Sequence, residues 1–236
     1  MPIQFRYADD IRARFPQLCS RALLVHCINE DAGTSVDIVR LRDVADRRLA
    51  AVNEGEFPEI QAWRRAFSAM GLKPTQYRCA SEALLRRYRK EGALPTLHPL
   101  LDLCNAASLA FAIPIAVFDI AKVVDGITVR YADGDETYET FAGEIEHPET
   151  GEVIFADGAR RAHARRWTNR QSGWSAVRLQ TKKALIVAEA LHESAAADIS
   201  CLINELSAAI GKAWSAATVR ELAVTSARQD IGSPPR

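Results

Sequence analysis

Two spacings of apolar residues divide the chain. "RALLVHCI" (Arg21 to Ile28) is a short apolar run followed by the turn-rich "NEDAGTS", which predicts a buried strand. "LRDVADRRLAAV" sets Leu41, Val44, Ala45, Arg48 and Val52 at helical spacing. "PEIQAWRRAFSAMG" predicts a cleaner helix: Pro58 suits the first turn, Ile60, Trp63, Phe67 and Met70 form one stripe, and Gly71 closes it. "SEALLRRYRKEG" predicts another, with Leu84, Leu85 and Tyr88 inward and Gly92 at its end. A further helix starts at Pro99 and ends at Ile113, because Pro114 disfavours helical backbone in the residue before it.

Alternation then takes over. "GITVRYADGDETYETF" alternates on both sides of Asp133-Gly134, a hairpin signal. "GEVIFADG" and "RRAHARRW" continue as strands, and "WSAVRLQ" is again strand-like. "TKKALIVAEALHE" reads as a helix, and "DISCLINELSAAIG" sets Ile199, Leu202, Ile203, Leu206 and Ile210 on one helical face. A second short helix is expected over Ala213 to Val224, and "SARQDIGSPPR" as a frayed tail. The order predicts an α/β chain of the α+β type, a mixed, largely antiparallel central sheet flanked by helices. The expected division is one domain over 1–193 and a C-terminal helical appendage with its tail over 194–236.

Composition changes this picture little. The chain has 236 residues, 48% hydrophobic and 25% charged, enough for a core without disulfide or metal. The formal charge is zero, so a polyanion must be held by local basic patches such as "RRYRK", "RRAHARR" and "TKK". The longest apolar stretch, Leu100 to Ile120, is interrupted by Asp102, Asn105 and Pro114, which argues against a membrane span. The opening "MPIQFRYADDIRARF" is charged where a secretory leader would be apolar. Five scattered cysteines with no CxxC predict a reduced, cytoplasmic chain without disulfides.

Familiar catalytic patterns are missing: no glycine-rich phosphate loop, no HExxH, no zinc-spaced Cys/His set, and "GWSAV" lacks the last glycine of GxSxG. Neither metal nor cofactor is expected. His26 reads as a core histidine and His98 as a helix-start residue. A Ser–His–Asp triad assembled from distant segments stays open. Asp102, Asn105 and Ser108 interrupt an apolar helix three residues apart and so share a face, for helix packing or for a ligand. Arg130 and Glu136 form an ion pair or contribute to a site. "RRWTNRQSG" is the densest feature. Arg165, Arg166, Asn169, Arg170 and Gln171 offer forked donors suited to carboxylate, phosphate and carbonyl oxygens, beside Ser172. Trp167 serves either as a core anchor or as a stacking platform.

The ordered set "SEALLRR", "LLDLCNAASLAFAIPIAVFD", "ITVRYADGDE", "GEVIFAD" and "RRWTNRQS" resembles the editing domain of the phenylalanyl-tRNA synthetase beta chain, the B-three/B-four domain, in free-standing form. The resemblance spans roughly Leu23 to Glu193. It implies a mixed α/β fold and a cleft that hydrolyses the ester of mischarged aminoacyl-tRNA, in trans. Asp102, Asn105, Pro114, Phe118, Asp119, Arg130 and Glu136 match the family's pattern. Cys104 stands where the family has Thr, Ala116 where it has a functional His, and "WTNRQS" where it has "GVMGG". The tyrosine pocket is therefore not carried over, and another amino acid or a different ester is expected. Positioning and oxyanion stabilisation can hydrolyse an activated ester without a covalent nucleophile. The catalytic set is then Asn105, Asn169 and Gln171. Asp102, Ser108, Arg130, Glu136, Arg166, Trp167, Arg170 and Ser172 bind substrate, with Arg166 and Arg170 holding the terminal phosphate.

The partner implied is the aminoacylated acceptor end of tRNA, with a synthetase as a second partner. Two alternatives remain: a module that binds tRNA, nucleotide or amino acid without chemistry, and a synthetase-docking protein that uses the C-terminal amphipathic helix.

Overall fold

The computed structural model describes residues 3–227. Strand β1 (Phe5–Ala8) leads into the short helix α1 (Asp9–Arg14), then β2 (Cys19–His26) and α2 (Ser35–Ala51). Helices α3 (Pro58–Ala69), α4 (Ala80–Glu91) and α5 (Pro99–Phe111) follow. Pro58 and Pro99 each occupy the first turn of their helix, where the missing N–H has no intrahelical partner to lose. Gly92 ends α4 at φ 73°, a left-handed position that side chains resist.

The strands divide between two sheets. One has four antiparallel strands in the order β11 (Thr218–Leu222), β2, β10 (Lys183–Ala190), β3 (Ile115–Asp119). The other has six, in the order β12 (Val224–Ala227), β1, β4 (Ile127–Tyr131), β7 (Val153–Ala156), β8 (Ala162–Arg165), β9 (Arg170–Gln171). In that sheet β1 runs parallel to β12 and β4, and the remaining pairs are antiparallel. A two-stranded ribbon of β5 (Tyr138–Glu139) and β6 (Ile145–Glu146) stands beside them. The α+β class with largely antiparallel pairing is as read from the sequence.

Two apolar cores sit on opposite faces of the four-stranded sheet, and β10 feeds both. Leu185 and Val187 enter the core that holds Phe5, Tyr7, Trp63, Phe118, Phe155 and Trp167. Ala184, Ile186 and Ala188 enter the other, beneath α5 and α6 (Ala195–Ala213), with Leu23, Leu103 and Leu202. All of β10 after Lys183 is buried, so no polar alternation marks it as a strand, and its alanines mimic a helix. That corrects the helix expected over 181–193.

Three further expectations are corrected. The turn at Asp133-Gly134 does not join a hairpin, since β4 pairs with β1 and β7. The buried carboxylate of Glu136 instead takes the N–H groups of Asp133 and Gly134, at 3.1 Å each, and folds the loop back. "WSAVRLQ" is a loop with one isolated bridge, Phe118 to Ala176. The short helix expected over 213–224 is replaced by β11 and the start of β12, which pair with β2 and β1.

The C-terminal segment is thus woven into both sheets. The face of α6 carrying Ile199, Leu202, Ile203, Leu206 and Ile210 is buried on its own chain, which removes it as a docking surface for another protein. The expected tail begins at Ser226, and residues 228–236 lie outside the described residues. Among the described residues no helix is long and apolar enough to cross a membrane. All five cysteines are free.

Candidate active site

Most of the donors of "RRWTNRQSG" hold the fold. Arg165, at the end of β8, grips Glu152 through two hydrogen bonds of 2.9 Å and Glu146 through one of 2.7 Å. Arg165 holds the Glu152 carboxyl below its usual pKa even though burial acts to raise it. Arg170 bonds Glu146 at 3.0 Å and lies over the Tyr138 ring, and Arg166 lies over Tyr77. Arg170 thus has a carboxylate partner, and Arg166 Nε lies 4.0 Å from Glu152.

Arg166 and Trp167 are both left-handed, at φ 47° and 58°. That costs roughly 1–2 kcal/mol per residue, offset by burial of the Trp167 indole, worth about 1.5–3 kcal/mol for a large side chain. The indole is fully buried, edge-on to Trp63 and Phe15, and its N–H donates to Glu189 at 2.8 Å. Trp167 is therefore the core anchor, and the stacking-platform reading is corrected. Ser172 donates to the Glu139 carbonyl, and its role too is structural.

This strained turn projects the next residues towards the start of α4. Ala80 N–H bonds the Thr168 carbonyl at 2.8 Å, and the Asn169 amide donates to the Arg78 carbonyl at 2.7 Å. Between the turn, β3 and α4 lies a cavity of about 50 Å³. Its wall includes Pro114, Ala116, Phe155, Trp167, Asn169 and Gln171. Arg170 is the one exposed residue in that wall. Thr168 also lines it, and the Thr168 hydroxyl, which is buried, has no partner among the described residues.

A wider cleft of about 390 Å³ adjoins this cavity, sharing Gln171. Gln171 is fixed there by a 2.7 Å hydrogen bond from its amide to the Val117 carbonyl. The cleft's polar wall comes from α5 and its cap: His98, Leu101 and Asn105, spaced so that they share a helical face. Its rim is Leu97, Phe141 and Leu179, all more than half exposed, beside Arg178.

His98 caps α5 by accepting the Leu100 N–H at Nδ1, 3.1 Å away. Nδ1 is therefore the unprotonated nitrogen of the neutral ring and Nε2 carries the proton. Burial lowers the His98 pKa, with Lys182 adding to the effect and Asp102 and Glu30 opposing it, which favours the neutral form. Its Nε2 is buried and unpartnered, and the Asn105 amide makes no hydrogen bond among the described residues. Two residues of the cleft wall therefore carry donors without a protein partner among the described residues: His98, at its buried Nε2–H, and the half-buried Asn105, at its amide. Sequence reading found Asn105 and saw only a cap in His98; the spacing of 98, 101 and 105 on one face was the available signal.

The other candidates lie elsewhere or are satisfied. Asp102 accepts the Leu97 N–H, and Ser108 donates to the Ile113 carbonyl at 2.7 Å, closing α5. Arg130 and the buried Glu136 form an ion pair of 2.5 Å, and neither lines the cavity or the cleft. Backbone N–H groups and Arg130 hold Glu136 below its usual pKa against the effect of burial.

The chain does assemble a Ser–His–Asp set: His163 Nδ1 lies 2.8 Å from Ser175 Oγ, and Nε2 lies 3.2 Å from Asp157 Oδ2. Ser175 and His163 are fully buried and line neither cavity, so the set pins the loop after β9. Among the described residues two carboxylate-bearing groups come close enough to hold a cation, Glu59–His192–Asp198 and Asp133–Asp135–Glu136. Arg48 takes Glu59, Ser194 takes Asp198, Arg160 takes Asp133 and Asp135, and Arg130 takes Glu136.

Residues 62–215 match the B3/4 domain family. A stretch of 53 residues is 40% identical to the phenylalanine–tRNA ligase beta subunit of Coxiella burnetii, covering 22% of this chain and 7% of that protein. The corresponding subunit of Legionella pneumophila is 36% identical over 55 residues, again 7% of its length. The chain therefore aligns with a small part of these curated relatives. The fold is similar to that of an N-terminal fragment of the phenylalanyl-tRNA synthetase beta subunit from Pyrococcus horikoshii, with a TM-score of 0.52 and 10% identity over 98% of this chain and 53% of that one.

Proposed function

The chain belongs to the B3/4 domain family, and from that premise we propose that it hydrolyses the ester linking an amino acid to the 3′ end of a tRNA. One observation carries the reading: His98, whose buried Nε2–H is unpartnered, and Asn105, whose amide makes no hydrogen bond among the described residues, line one cleft that shares Gln171 with a second, smaller cavity. The terminal nucleoside occupies the cleft, its base against Phe141 and Leu97. The aminoacyl group enters the cavity, and the ester lies at Gln171. Donors aimed at the carbonyl stabilise the negative charge that develops there, each worth roughly 100- to 1,000-fold in rate.

Water adds to the carbonyl carbon, the bond to the ribose oxygen breaks, and that oxygen takes a proton as it leaves. The adjacent ribose hydroxyl relays protons. Cysteine chemistry is disfavoured: Cys104 is buried and its thiol pKa is pushed well up, and burial pushes Cys79 to about 11. Two cations without a carboxylate partner among the described residues, Arg178 in the cleft wall over the Phe141 ring and Lys182 near His98, serve the acceptor phosphates in place of Arg166 and Arg170.

A second reading, binding of the acceptor end without cleavage, is favoured by Ala116 in the cavity wall where the family carries its functional His. A panel of aminoacyl-tRNAs separates the two. The deacylase reading expects ester loss above the spontaneous rate for at least one member, reduced about 100-fold by Asn105→Ala. Tight binding with no ester loss across the panel replaces it with the binding reading.

A further inference from the structure

We infer that the 50 Å³ cavity selects a short, hydroxyl-bearing amino-acid side chain, that of Ser or Thr, with Thr168 Oγ1 as its hydrogen-bond partner. The inference rests on the deacylase reading and adds the substrate class.

Size comes first. One water needs about 10–15 Å³ on this measure, so the cavity holds about three to five non-hydrogen atoms. Ser contributes two such atoms and Thr three, whereas Phe and Tyr contribute seven and eight. The walls cannot retreat. Trp167 is wedged between Trp63 and Phe15 at 5.1 and 4.9 Å, and Phe155 is packed against Phe5 and Phe118 at 5.9 and 5.7 Å. Displacing close-packed aromatic rings is costly.

Polarity decides among the short side chains. A buried hydroxyl without a partner is a standing cost. Thr168 cannot turn its backbone away, because its carbonyl is tied to Ala80 N–H. A ligand hydroxyl removes that cost, whereas the methyl groups of Ala and Val leave it in place. The same argument disfavours an α-ammonium group here: no carboxylate lines the cavity, and Arg170 is in its wall.

The test charges one tRNA body with Ser, Thr, Ala, Val, Phe and Tyr and compares rates of ester loss. The expected order is Ser and Thr ahead of Ala and Val by on the order of 10- to 100-fold, with Phe and Tyr at the spontaneous rate. Thr168→Val abolishes the preference for Ser over Ala while leaving Tm near wild type, and Thr168→Ser restores it. Equal rates for Ser and Tyr, or a Thr168→Val variant that keeps the preference, overturn the inference. If no ester is cleaved the deacylase reading fails separately. Binding of seryl- and alanyl-amide analogues of adenosine then tests the cavity alone, and equal affinities for the two overturn it.

Discussion

His98 does two things with one ring: Nδ1 accepts the Leu100 N–H at the start of α5, and Nε2–H is left over in the cleft wall. The two roles can be separated. Asn is a good N-cap residue and keeps an acceptor near Leu100, but it lacks a donor at the position of Nε2. His98→Asn should keep Tm within a few degrees of wild type and lower kcat by about 100-fold. His98→Ala should lose activity and, with the cap gone, about 1 kcal/mol of stability as well. A His98→Asn enzyme with full activity would assign the histidine to capping alone.

Glu189 is the other residue with a measurable signature. Buried beneath Trp167, it accepts hydrogen bonds from the Tyr7 hydroxyl at 2.5 Å and the indole N–H at 2.8 Å. Burial raises its pKa from 4.5 to about 7. The folded state therefore holds a proton that the unfolded state gives up between those values, and stability falls as pH rises through that window. His98, its pKa lowered, acts in the opposite direction: stability is lost as pH falls below its ordinary value of 6.5. Glu189→Gln removes the first effect and keeps an acceptor for both donors. The Tm of this variant minus that of wild type should rise between pH 5 and pH 8 in a thermal melt series. A flat difference would mean that Glu189 titrates as an ordinary carboxylate.

At the scale of elements, what could be read in the sequence depended on how many faces of an element are buried. Helices α3, α4 and α6 are buried on one face, and their stripes fixed both type and inward residues, apart from Leu84 and Met70, which are only half-buried. Strand β10 is buried on both faces, and its composition mimicked a helix. The pairing of β4 with β7 skips the obvious turn, because Glu136 satisfies the N–H groups of that turn locally. At the site, Asn105, Asn169 and Gln171 were legible as amides in unusual places. Arg165 and Arg170 read as free donors because their carboxylate partners, Glu146 and Glu152, lie 13–24 residues away and pair with them only through the fold. The same dependence governs the C-terminal elements. Helix α6 covers one core and β11 hydrogen-bonds β2, so ending the chain at Ser194 exposes the apolar face of the four-stranded sheet. That truncation should give no cooperative melt by circular dichroism, and Leu202→Ala in the full chain should cost about 2–5 kcal/mol. A truncated chain that melts cooperatively would restore the division expected at residue 194.

Over the whole molecule, a formal charge of zero leaves binding of a polyanion to whichever cations the fold has not already paired. The densest basic run, Arg86 to Lys90, is a poor candidate. Arg86 and Arg89 both reach Glu54, which is buried, and Arg87 pairs with Glu91. Replacing Arg86 and Arg89 leaves that carboxylate unpaired, so the loss should fall on stability. Arg178 in the cleft wall, and Lys182 and Lys183 a few residues further along the chain, differ: all three are exposed and make no ion pair with a carboxylate among the described residues. Three such contacts to a single-stranded acceptor end predict a slope of about −2 for log K against log salt, roughly 0.7 per phosphate. Replacing any one of the three by Ala should lower the slope by about 0.7, with Tm unchanged, in a fluorescence titration of deacylated tRNA. The Arg86→Ala/Arg89→Ala double variant should keep the wild-type slope and melt earlier. The reverse pattern would place the tRNA on α4, away from the cleft, and would separate the binding surface from the two donors on which hydrolysis depends.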